Sequence, residues 1–123
     1  MQSKFVQVSI IIVNYKVENE LINCISSILN SSPKVSFEII VVDNDSQNQL
    51  ERKLRKNSDG LKYIKSQRNI GYGAGNNLGA KQAKGKFLFF LNPDTRVIKG
   101  AIDLLYNFIS ANSKVGLVSP LLV

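Results

Sequence analysis

The 123-residue sequence has no histidine and only one cysteine, Cys24. A single cysteine excludes a disulfide within the chain and is typical of a reducing compartment, and we expect Cys24 to lie in the core. The usual Cys/His ligand sets for zinc are excluded as well. Any bound metal ion must therefore be a hard cation held by oxygen ligands, such as Mg²⁺ or Mn²⁺.

Long apolar runs are also lacking. The longest, FLFFL at residues 87–91, is far shorter than the roughly 20 residues of a membrane-spanning helix. The run VSIIIV at residues 8–13 is too short for a secretory signal, and a charged, helix-like segment follows it instead of a cleavage site. The hydrophobic content of 44% and the length of 123 residues are typical of one soluble globular domain.

The formal net charge of +7 favours acidic partners, which include nucleotide phosphates, nucleic acid and anionic membrane surfaces. The basic residues are spread over segments 53–56, 62–68 and 81–86, a distribution typical of solvated helix faces and loops. No nucleic-acid-binding module and no alternation of aromatic with basic residues is visible, so we expect no nucleic-acid partner.

Strand-like and helix-like segments alternate along the whole chain, which predicts an α/β fold with a mostly parallel central sheet. The short third strand should lie near an edge, Gly85 should cap the third helix, and the FLFFL run predicts a strand buried on both faces. Strands are predicted at residues 7–15, 37–45, 61–66 and 86–92, helices at 18–31, 49–57, 76–85 and 98–112, and a last strand-like stretch at 115–123.

Polar residues follow each of the first four predicted strands. Because the carboxyl ends of parallel strands lie along one edge, we expect these residues to gather there, where open α/β sheets bind ligands. They are Asn14 and Tyr15 after the first strand, Asp43, Asn44 and Asp45 after the second, Arg68 and Asn69 after the third, and Asn92, Pro93 and Asp94 after the fourth.

The segment DNDS at residues 43–46 has two interpretations. Asp45 or Ser46 could be the N-cap of the second helix, since Asp, Asn and Ser are the preferred capping residues. That interpretation does not explain Asp43, whose carboxylate is costly to bury so close to the sheet. A ring N–H of a pyrimidine base, or a ribose hydroxyl, would supply Asp43 with a partner.

The glycine-rich segment RNIGYGAGNNLG, residues 68–79, departs from the dinucleotide fingerprint G-x-G-x-x-G. Asn76 stands where the third glycine belongs, and the segment follows the third strand rather than the first, which disfavours a nicotinamide-dependent dehydrogenase. A helix N-terminus preceded by glycines can bind an anion through free backbone N–H groups. The alternative is a tight turn with close helix packing at small residues.

The segment LNPDT, residues 91–95, places an amide and a carboxylate two residues apart. In an extended segment Asn92 and Asp94 can point to the same side, and Pro93 fixes the backbone between them. One carboxylate suffices for Mg²⁺ when a diphosphate supplies further ligands. The alternative is a proline turn with Asp94 at a helix N-terminus.

Together these segments resemble the donor-binding half of a family 2 glycosyltransferase with the GT-A fold. The resemblance is carried by VSIIIVNYK, EIIVVDNDS, RNIGYGAGNN, FLFFLNPDT and VGLVSPLLV, in that order, and is greatest to the bacterial rhamnosyltransferase-like branch. It implies a Rossmann-like nucleotide-diphospho-sugar transferase fold in which residues 1–123 form a single N-terminal donor-binding part. The acceptor-binding part is expected to be absent, and the natural chain to be longer.

The resemblance also implies roles for individual residues. The nucleotide sugar would be bound by Asn14, Tyr15, Asp43, Asn44, Arg68, Asn69, Gly71, Gly73, Gly75, Asn76 and Asn92. Asp43 would bind the base, and the glycine-rich segment would shape the sugar and diphosphate region. The acidic DXD motif of the family reads Asn92-Pro93-Asp94 here, which leaves Asp94 as the carboxylate ligand of a Mn²⁺ or Mg²⁺ ion.

The implied reaction is the transfer, with inversion, of a sugar from a UDP- or dTDP-sugar to an acceptor hydroxyl in cell-surface polysaccharide synthesis. The acceptor would be a glycan or a lipid-linked molecule, and the enzyme would be cytoplasmic or peripheral at the inner face of the membrane. The resemblance implies that the catalytic base lies outside this chain, and Asp103, which is predicted to face solvent, is not assigned that role. We therefore expect the chain alone to bind nucleotide without transferring sugar, and to self-associate through an exposed apolar face.

Two other classes of protein are considered. A non-catalytic nucleotide-sugar-binding or scaffold module is possible because Asn92 could mark lost metal binding. A phosphoacceptor receiver domain is disfavoured, since it needs an acidic pair, an aspartate and a lysine at three strand ends. Those positions hold Asn14-Tyr15, Lys65-Ser66 and Ser119-Pro120.

Overall fold

The structure is a computed structural model that describes residues 5–45, 49–57 and 60–121. Four parallel strands form one sheet in the order β3-β2-β1-β4, and helices connect them. The elements are β1 (Val8–Asn14), α1 (Glu18–Asn30), β2 (Phe37–Asp43), α2 (Leu50–Asn57), β3 (Lys62–Lys65), α3 (Tyr72–Lys81), β4 (Phe87–Leu91) and α4 (Ala101–Ala111). The predicted parallel α/β fold and the edge position of the third strand are confirmed.

The core lies on both faces of the central strands. All seven residues of β1 are buried, and so are the last five of β2, as expected for parallel strands covered on each side. Successive side chains alternate between the faces: Ile10 and Ile12 pack with α1, whereas Ile11 and Val13 pack on the side of α3. Cys24 is fully buried in α1, as predicted.

Helix α3 approaches the sheet closely because of its glycines. A Cβ atom on Gly75 would lie 2.9 Å from Cγ1 of Val13, and one on Gly79 would lie 2.6 Å from Cγ2 of Ile11. Side chains larger than hydrogen would therefore push the helix away from β1. The close-packing interpretation of the glycine-rich segment is correct for Gly75 and Gly79.

The predicted limits of α3 were wrong at both ends. The helix begins at Tyr72 rather than at residue 76, because Gly71, with a φ of 88°, turns the chain directly into it. The C-cap is Gln82, not Gly85. Gly85 instead packs against β1, where its added Cβ would lie 2.5 Å from the backbone nitrogen of Ser9.

Three further expectations are corrected near β4 and α4. β4 is an edge strand and not buried on both faces, since Leu88 and Phe90 are exposed. Residues 115–121 form no strand. Asp103 does not face solvent freely, because its carboxylate accepts hydrogen bonds from the backbone N–H groups of Lys34 and Val35 at 3.0–3.1 Å.

The capping interpretations of the acidic residues are also not met. α2 begins at Leu50, so Asp45 lies too far before the helix to cap it, and Ser46 lies outside the described residues. Asp94 is not at a helix N-terminus, because α4 begins at Ala101. The proline turn does form, with the N–H of Thr95 donating to the carbonyl oxygen of Asn92 at 3.2 Å.

Candidate functional site

The carboxyl ends of β1, β2 and β4 and the N-terminus of α3 surround an open cavity of about 440 Å³. We call it the donor pocket, after the sugar donor that the family resemblance implies, and its lining consists of Val13, Tyr15, Val17, Asn44, Asn69, Gly71, Tyr72, Asn92, Pro93 and Asp94. Six of the predicted site residues are thereby brought together: Tyr15, Asn44, Asn69, Gly71, Asn92 and Asp94. The other six do not line it: Asn14, Asp43, Arg68, Gly73, Gly75 and Asn76.

Asp43 directly precedes Asn44 of the donor pocket but does not line it, and it is fully buried. Its Oδ1 accepts hydrogen bonds from Nδ2 of Asn14 at 3.0 Å and from the N–H of Asp45 at 3.1 Å. Its Oδ2 accepts a hydrogen bond from the hydroxyl of Tyr63. All three donors belong to the chain itself, and the buried carboxylate does not open into the donor pocket. The base-binding role of Asp43 stays a prediction.

Tyr63 completes this buried group of polar side chains. Burial raises the pKa of its phenol, and the neighbouring Asp43 carboxylate raises it further, so the hydroxyl stays protonated and donates. Asn14, paired in register with Asp43, is also fully buried, and its Oδ1 accepts from the N–H of Val17 at 3.3 Å. The group thus fixes the chain where β1 leaves the sheet.

Asn44 joins the end of β2 to the glycine-rich turn. Its Nδ2 donates to the carbonyl oxygen of Gly71 at 3.0 Å, and its Oδ1 accepts from the hydroxyl of Ser66 at 2.8 Å. The turn is held a second time by the side chain of Asn69, whose Oδ1 accepts from the N–H of Gly71 at 3.0 Å. These contacts fix the position from which α3 starts.

The N-terminus of α3 opens at the donor pocket. Gly71 is its N-cap, no side chain caps it, and the first turn contains no acidic residue. The N–H of Gly75 is the first to bond back, to the carbonyl oxygen of Gly71. The N–H groups of residues 72–74 and the positive end of the helix dipole are therefore oriented to attract an anion.

The remaining predicted residues of this segment take different positions. Gly73 is exposed, with open space around it, whereas Gly75 and Asn76 belong to the buried residues of α3. Within the described part of the chain, Oδ1 of Asn76 has no hydrogen-bond partner. Arg68 is exposed beside the pocket without lining it. Their proposed contacts with a donor stay predictions.

The turn after β4 carries the amide and the acid of the DXD-like motif. The backbone oxygen of Asn92 accepts hydrogen bonds from the N–H and the hydroxyl of Thr95 at 3.2 and 2.7 Å. Sγ of Cys24 lies beneath it, 3.8 Å from the same oxygen. Burial raises the pKa of the Cys24 thiol, a hydrogen bond with Thr95 opposes this, and the charge of Asp94 adds to it.

Among the described residues, Asp94 is the one carboxylate that lines the donor pocket. It is exposed, and no partner for it is found among residues 5–45, 49–57 and 60–121. The same residues contain no group of three or more Cys, Asp or Glu side chains able to hold a metal ion. Mg²⁺ typically uses one or two protein carboxylates and completes its shell with water and phosphate oxygens. Asp94 therefore fits a cation that arrives with a diphosphate.

Sequence reasoning missed Tyr63, Ser66 and Tyr72. Tyr63 and Ser66 belong to the third strand and the residue after it, where only Arg68 and Asn69 were singled out. Tyr72 lies within the glycine-rich segment and donates a hydrogen bond from its hydroxyl to Oδ1 of Asn92 at 2.6 Å. Tyr72 could have been found because it is the one aromatic residue of the glycine-rich segment 68–79 and stands between two glycines.

The family model described as glycosyl transferase family 2 matches residues 9–121. The low-salt glycan biosynthesis hexosyltransferase Agl10 of Haloferax volcanii is 34% identical over 123 residues, which cover 97% of this chain and 38% of that protein. The minor teichoic acid biosynthesis protein GgaB of Bacillus subtilis is 34% identical over 107 residues, which cover 81% of this chain and 12% of that protein.

A crystal structure of S. aureus TarS 1-349 in complex with UDP-GlcNAc has the same fold. It superposes with a TM-score of 0.76 at 28% identity and covers 86% of this chain and 32% of that one. The complex of TarS 1-349 with UDP gives a TM-score of 0.73 at the same identity. The chain therefore spans well under half the length of these two structures and of both curated relatives.

Proposed function

The chain belongs to glycosyltransferase family 2, and on that premise we propose that it is the donor-binding part of an enzyme that transfers a sugar from a nucleoside diphosphate sugar to an acceptor hydroxyl. The observation that carries the proposal is the donor pocket. It combines an exposed aromatic ring, several amides, an uncapped helix N-terminus and one free carboxylate at the carboxyl ends of the strands. Each group matches a part of such a donor.

The parts of the donor are assigned by chemistry. Tyr15, which is 44% exposed at the rim, borders the base with its ring. Nδ2 of Asn69 and the N–H groups of residues 72–74 hydrogen-bond the diphosphate, whose negative charge the helix dipole favours, and Gly71 shapes the turn that presents them. Asp94 holds a Mg²⁺ or Mn²⁺ ion, which would neutralise charge on the leaving diphosphate.

Inversion requires the acceptor hydroxyl to attack the anomeric carbon from the side opposite the diphosphate. A carboxylate base would remove the hydroxyl proton during attack. No acid of the described residues other than Asp94 lines the donor pocket, so we propose that the base and the acceptor-binding part lie outside residues 1–123. The isolated chain then binds nucleotide but does not transfer sugar.

A UDP- or dTDP-sugar is the proposed donor, and a glycan or lipid-linked molecule of a cell-surface polysaccharide is the proposed acceptor. The TarS complexes with UDP-GlcNAc and UDP support the pyrimidine nucleotide, and the glycan and teichoic acid relatives support the pathway class. The form of the glycine-rich segment supports the rhamnosyltransferase-like branch. No nucleic-acid partner is proposed.

The proposed location is the cytoplasm, with peripheral binding to the inner face of the cell membrane. The net charge of +7 supports attraction to an anionic surface. Every helix in the described ranges is too short or too polar to cross a bilayer.

We also propose that the isolated chain self-associates through the apolar face of β4 and α4. An apolar groove of about 310 Å³ runs along these two elements. Leu88 and Phe90 of β4 line it and are exposed, and Leu104 and Phe108 of α4 are exposed as well. Sedimentation at increasing concentration tests this, and a monomer at every concentration would contradict it.

Calorimetric titration with UDP, dTDP, GDP and ADP, each with and without Mn²⁺, tests the donor site. We expect a pyrimidine diphosphate to bind, more tightly with Mn²⁺, and the Mn²⁺ effect to disappear in Asp94→Ala. A folded chain that binds none of the four at millimolar concentration would contradict the proposal. Binding without any effect of Mn²⁺ would favour the second candidate, a non-catalytic nucleotide-sugar-binding module, which the single pocket carboxylate supports.

A further inference from the structure

The hydroxyl of Tyr72 and the side chain of Asn92 form a hydrogen bond across the donor pocket. Tyr72 is the first residue of α3, and Asn92 directly follows β4, so the bond joins two walls that are otherwise separate in sequence. Both residues line the pocket, and the Tyr72 side chain is 49% exposed. Neither wall needs this bond for its own secondary structure.

The bond defines how the Asn92 carboxamide is turned. The Tyr72 hydroxyl donates to Oδ1 of Asn92 at 2.6 Å, a normal distance for O–H···O. The amide oxygen is therefore held by Tyr72, and the amide nitrogen points elsewhere. The backbone oxygen of Asn92 is already bonded to Thr95.

The amide nitrogen of Asn92 is left for a ligand. In the described ranges Nδ2 has no hydrogen-bond partner, and the residue is exposed at the pocket. A carboxamide whose oxygen is held by a donor cannot offer that oxygen to a cation without breaking the bond. It can offer its two N–H groups to an anionic oxygen at no such cost.

We propose that Tyr72 is a positioning residue that turns Asn92 so that its amide N–H groups, and not its oxygen, meet the diphosphate of the donor. The inference rests on the proposed function and assigns different roles to the two polar residues of the DXD-like motif. Asn92 binds phosphate oxygens directly, and Asp94 alone serves the cation. Part of the nucleotide affinity is then independent of any metal ion.

Two substitutions test whether the bond orients Asn92 toward the diphosphate or only stabilises the structure. Tyr72→Phe keeps the ring but frees the amide to rotate, so UDP binding without metal should weaken about three- to tenfold. Asn92→Asp places a carboxylate oxygen where Nδ2 stood, beside Asp94. It should weaken metal-free binding by charge repulsion and increase the gain in affinity that Mg²⁺ produces about tenfold.

The experiment follows the side-chain amide signals of Asn92 by ¹H–¹⁵N NMR while UDP is added to the whole chain, first in EDTA and then in Mg²⁺. The signals are assigned by their loss in Asn92→Asp, and well-dispersed spectra establish that each variant is folded. We expect UDP to shift these signals in EDTA, and Tyr72→Phe to move them before any UDP is added. Tyr106→Phe, which removes a hydroxyl bonded to Nε2 of Gln7 at the other end of the sheet, should change neither the signals nor the affinity.

A double-mutant cycle supplies the decisive comparison. If Tyr72 acts through Asn92, Tyr72→Phe should cost no further affinity in an Asn92→Ala background. An equal loss in both backgrounds, or unchanged amide signals in Tyr72→Phe, would overturn the inference while leaving the donor site intact. If the unmodified chain binds no UDP, the proposed function fails, and the inference fails with it.

Discussion

Nδ2 of Asn14 donates a hydrogen bond of 3.0 Å to Oδ1 of Asp43, and both side chains are fully buried at the ends of adjacent strands. The two residues are also partners in the register of β1 and β2. The acid most readily interpreted as a base-binding group is therefore buried and does not line the donor pocket. The residues that line the pocket stand one position later, at Tyr15 and Asn44.

Tyr63→Phe tests the hydrogen bond between Tyr63 and the buried carboxylate of Asp43. The change removes the hydroxyl that donates to Oδ2 of Asp43 and leaves a buried carboxylate with a lost partner. We expect the free energy of unfolding to fall by about 1–3 kcal/mol, measured by urea denaturation. Tyr106→Phe is the matched control. It also removes the hydroxyl from a partly buried hydrogen bond, but the partner there is the neutral side chain of Gln7. Equal effects of the two variants would contradict the role of Tyr63.

Gly79→Ala tests the close approach of α3 to the sheet. The new Cβ would lie 2.6 Å from Cγ2 of Ile11 and 3.2 Å from Cγ2 of Val42, so the helix must shift. We expect a loss of about 1–3 kcal/mol in the free energy of unfolding. Gly73→Ala, in the same helix but with open space around it, should instead be neutral or stabilise by up to about 1 kcal/mol. A stabilising Gly79→Ala would show that the helix is not held by small residues.

Glu38→Gln tests the ion pairing at the amino ends of the strands. Burial acts to raise the pKa of Glu38, but hydrogen bonds from Ser9, the N–H of Lys84 and Lys62 outweigh it and hold the pKa below the ordinary 4.5. A lowered pKa in the folded state stabilises above pH 4.5, and this contribution is lost as the pH falls through the folded value.

The expected result is that Glu38→Gln is less stable than the unmodified chain at pH 7 and that the difference shrinks below about pH 4.5. Thermal unfolding at several pH values measures it. Glu20→Gln, at an exposed position of α1, is the control and should leave the pH profile unchanged. A constant difference at all pH values would contradict the assignment.

The sequence predicted the central strands well because burial on both faces leaves a simple record, an uninterrupted apolar run, in β1 and β2. It predicted α3 poorly because glycine is a weak helix former, and the segment is helical through packing of Gly75 and Gly79 against the sheet. The apolar run of β4 predicts a strand buried on both faces, and this is wrong because an apolar edge strand has the same sequence pattern.

The expectation that ligands bind at the carboxyl ends of parallel strands located the site, but it could not tell which residue at each strand end lines the pocket. Successive residues of an extended segment point to opposite sides, so of the two buried neighbours Asp43 and Asn44 only Asn44 lines the pocket. Tyr63, which belongs to β3, donates a hydrogen bond to the Asp43 carboxylate and so gives it a partner within the chain. A partner of that kind is invisible to reasoning from motifs along one segment.

Asp94→Asn is the sharpest test of the cation's place in the donor pocket. The change keeps the size of the side chain but removes the carboxylate that Asp94 contributes to the pocket. Nucleotide affinity in Mn²⁺ should fall by about tenfold or more, because a neutral amide oxygen is a weak ligand for a hard cation. Affinity in EDTA should be unchanged or slightly higher, since a negative charge near the diphosphate has been removed. Calorimetry with UDP under both conditions measures the two effects. An equal loss with and without Mn²⁺ would mean that Asp94 acts on the nucleotide or on the fold rather than through a cation.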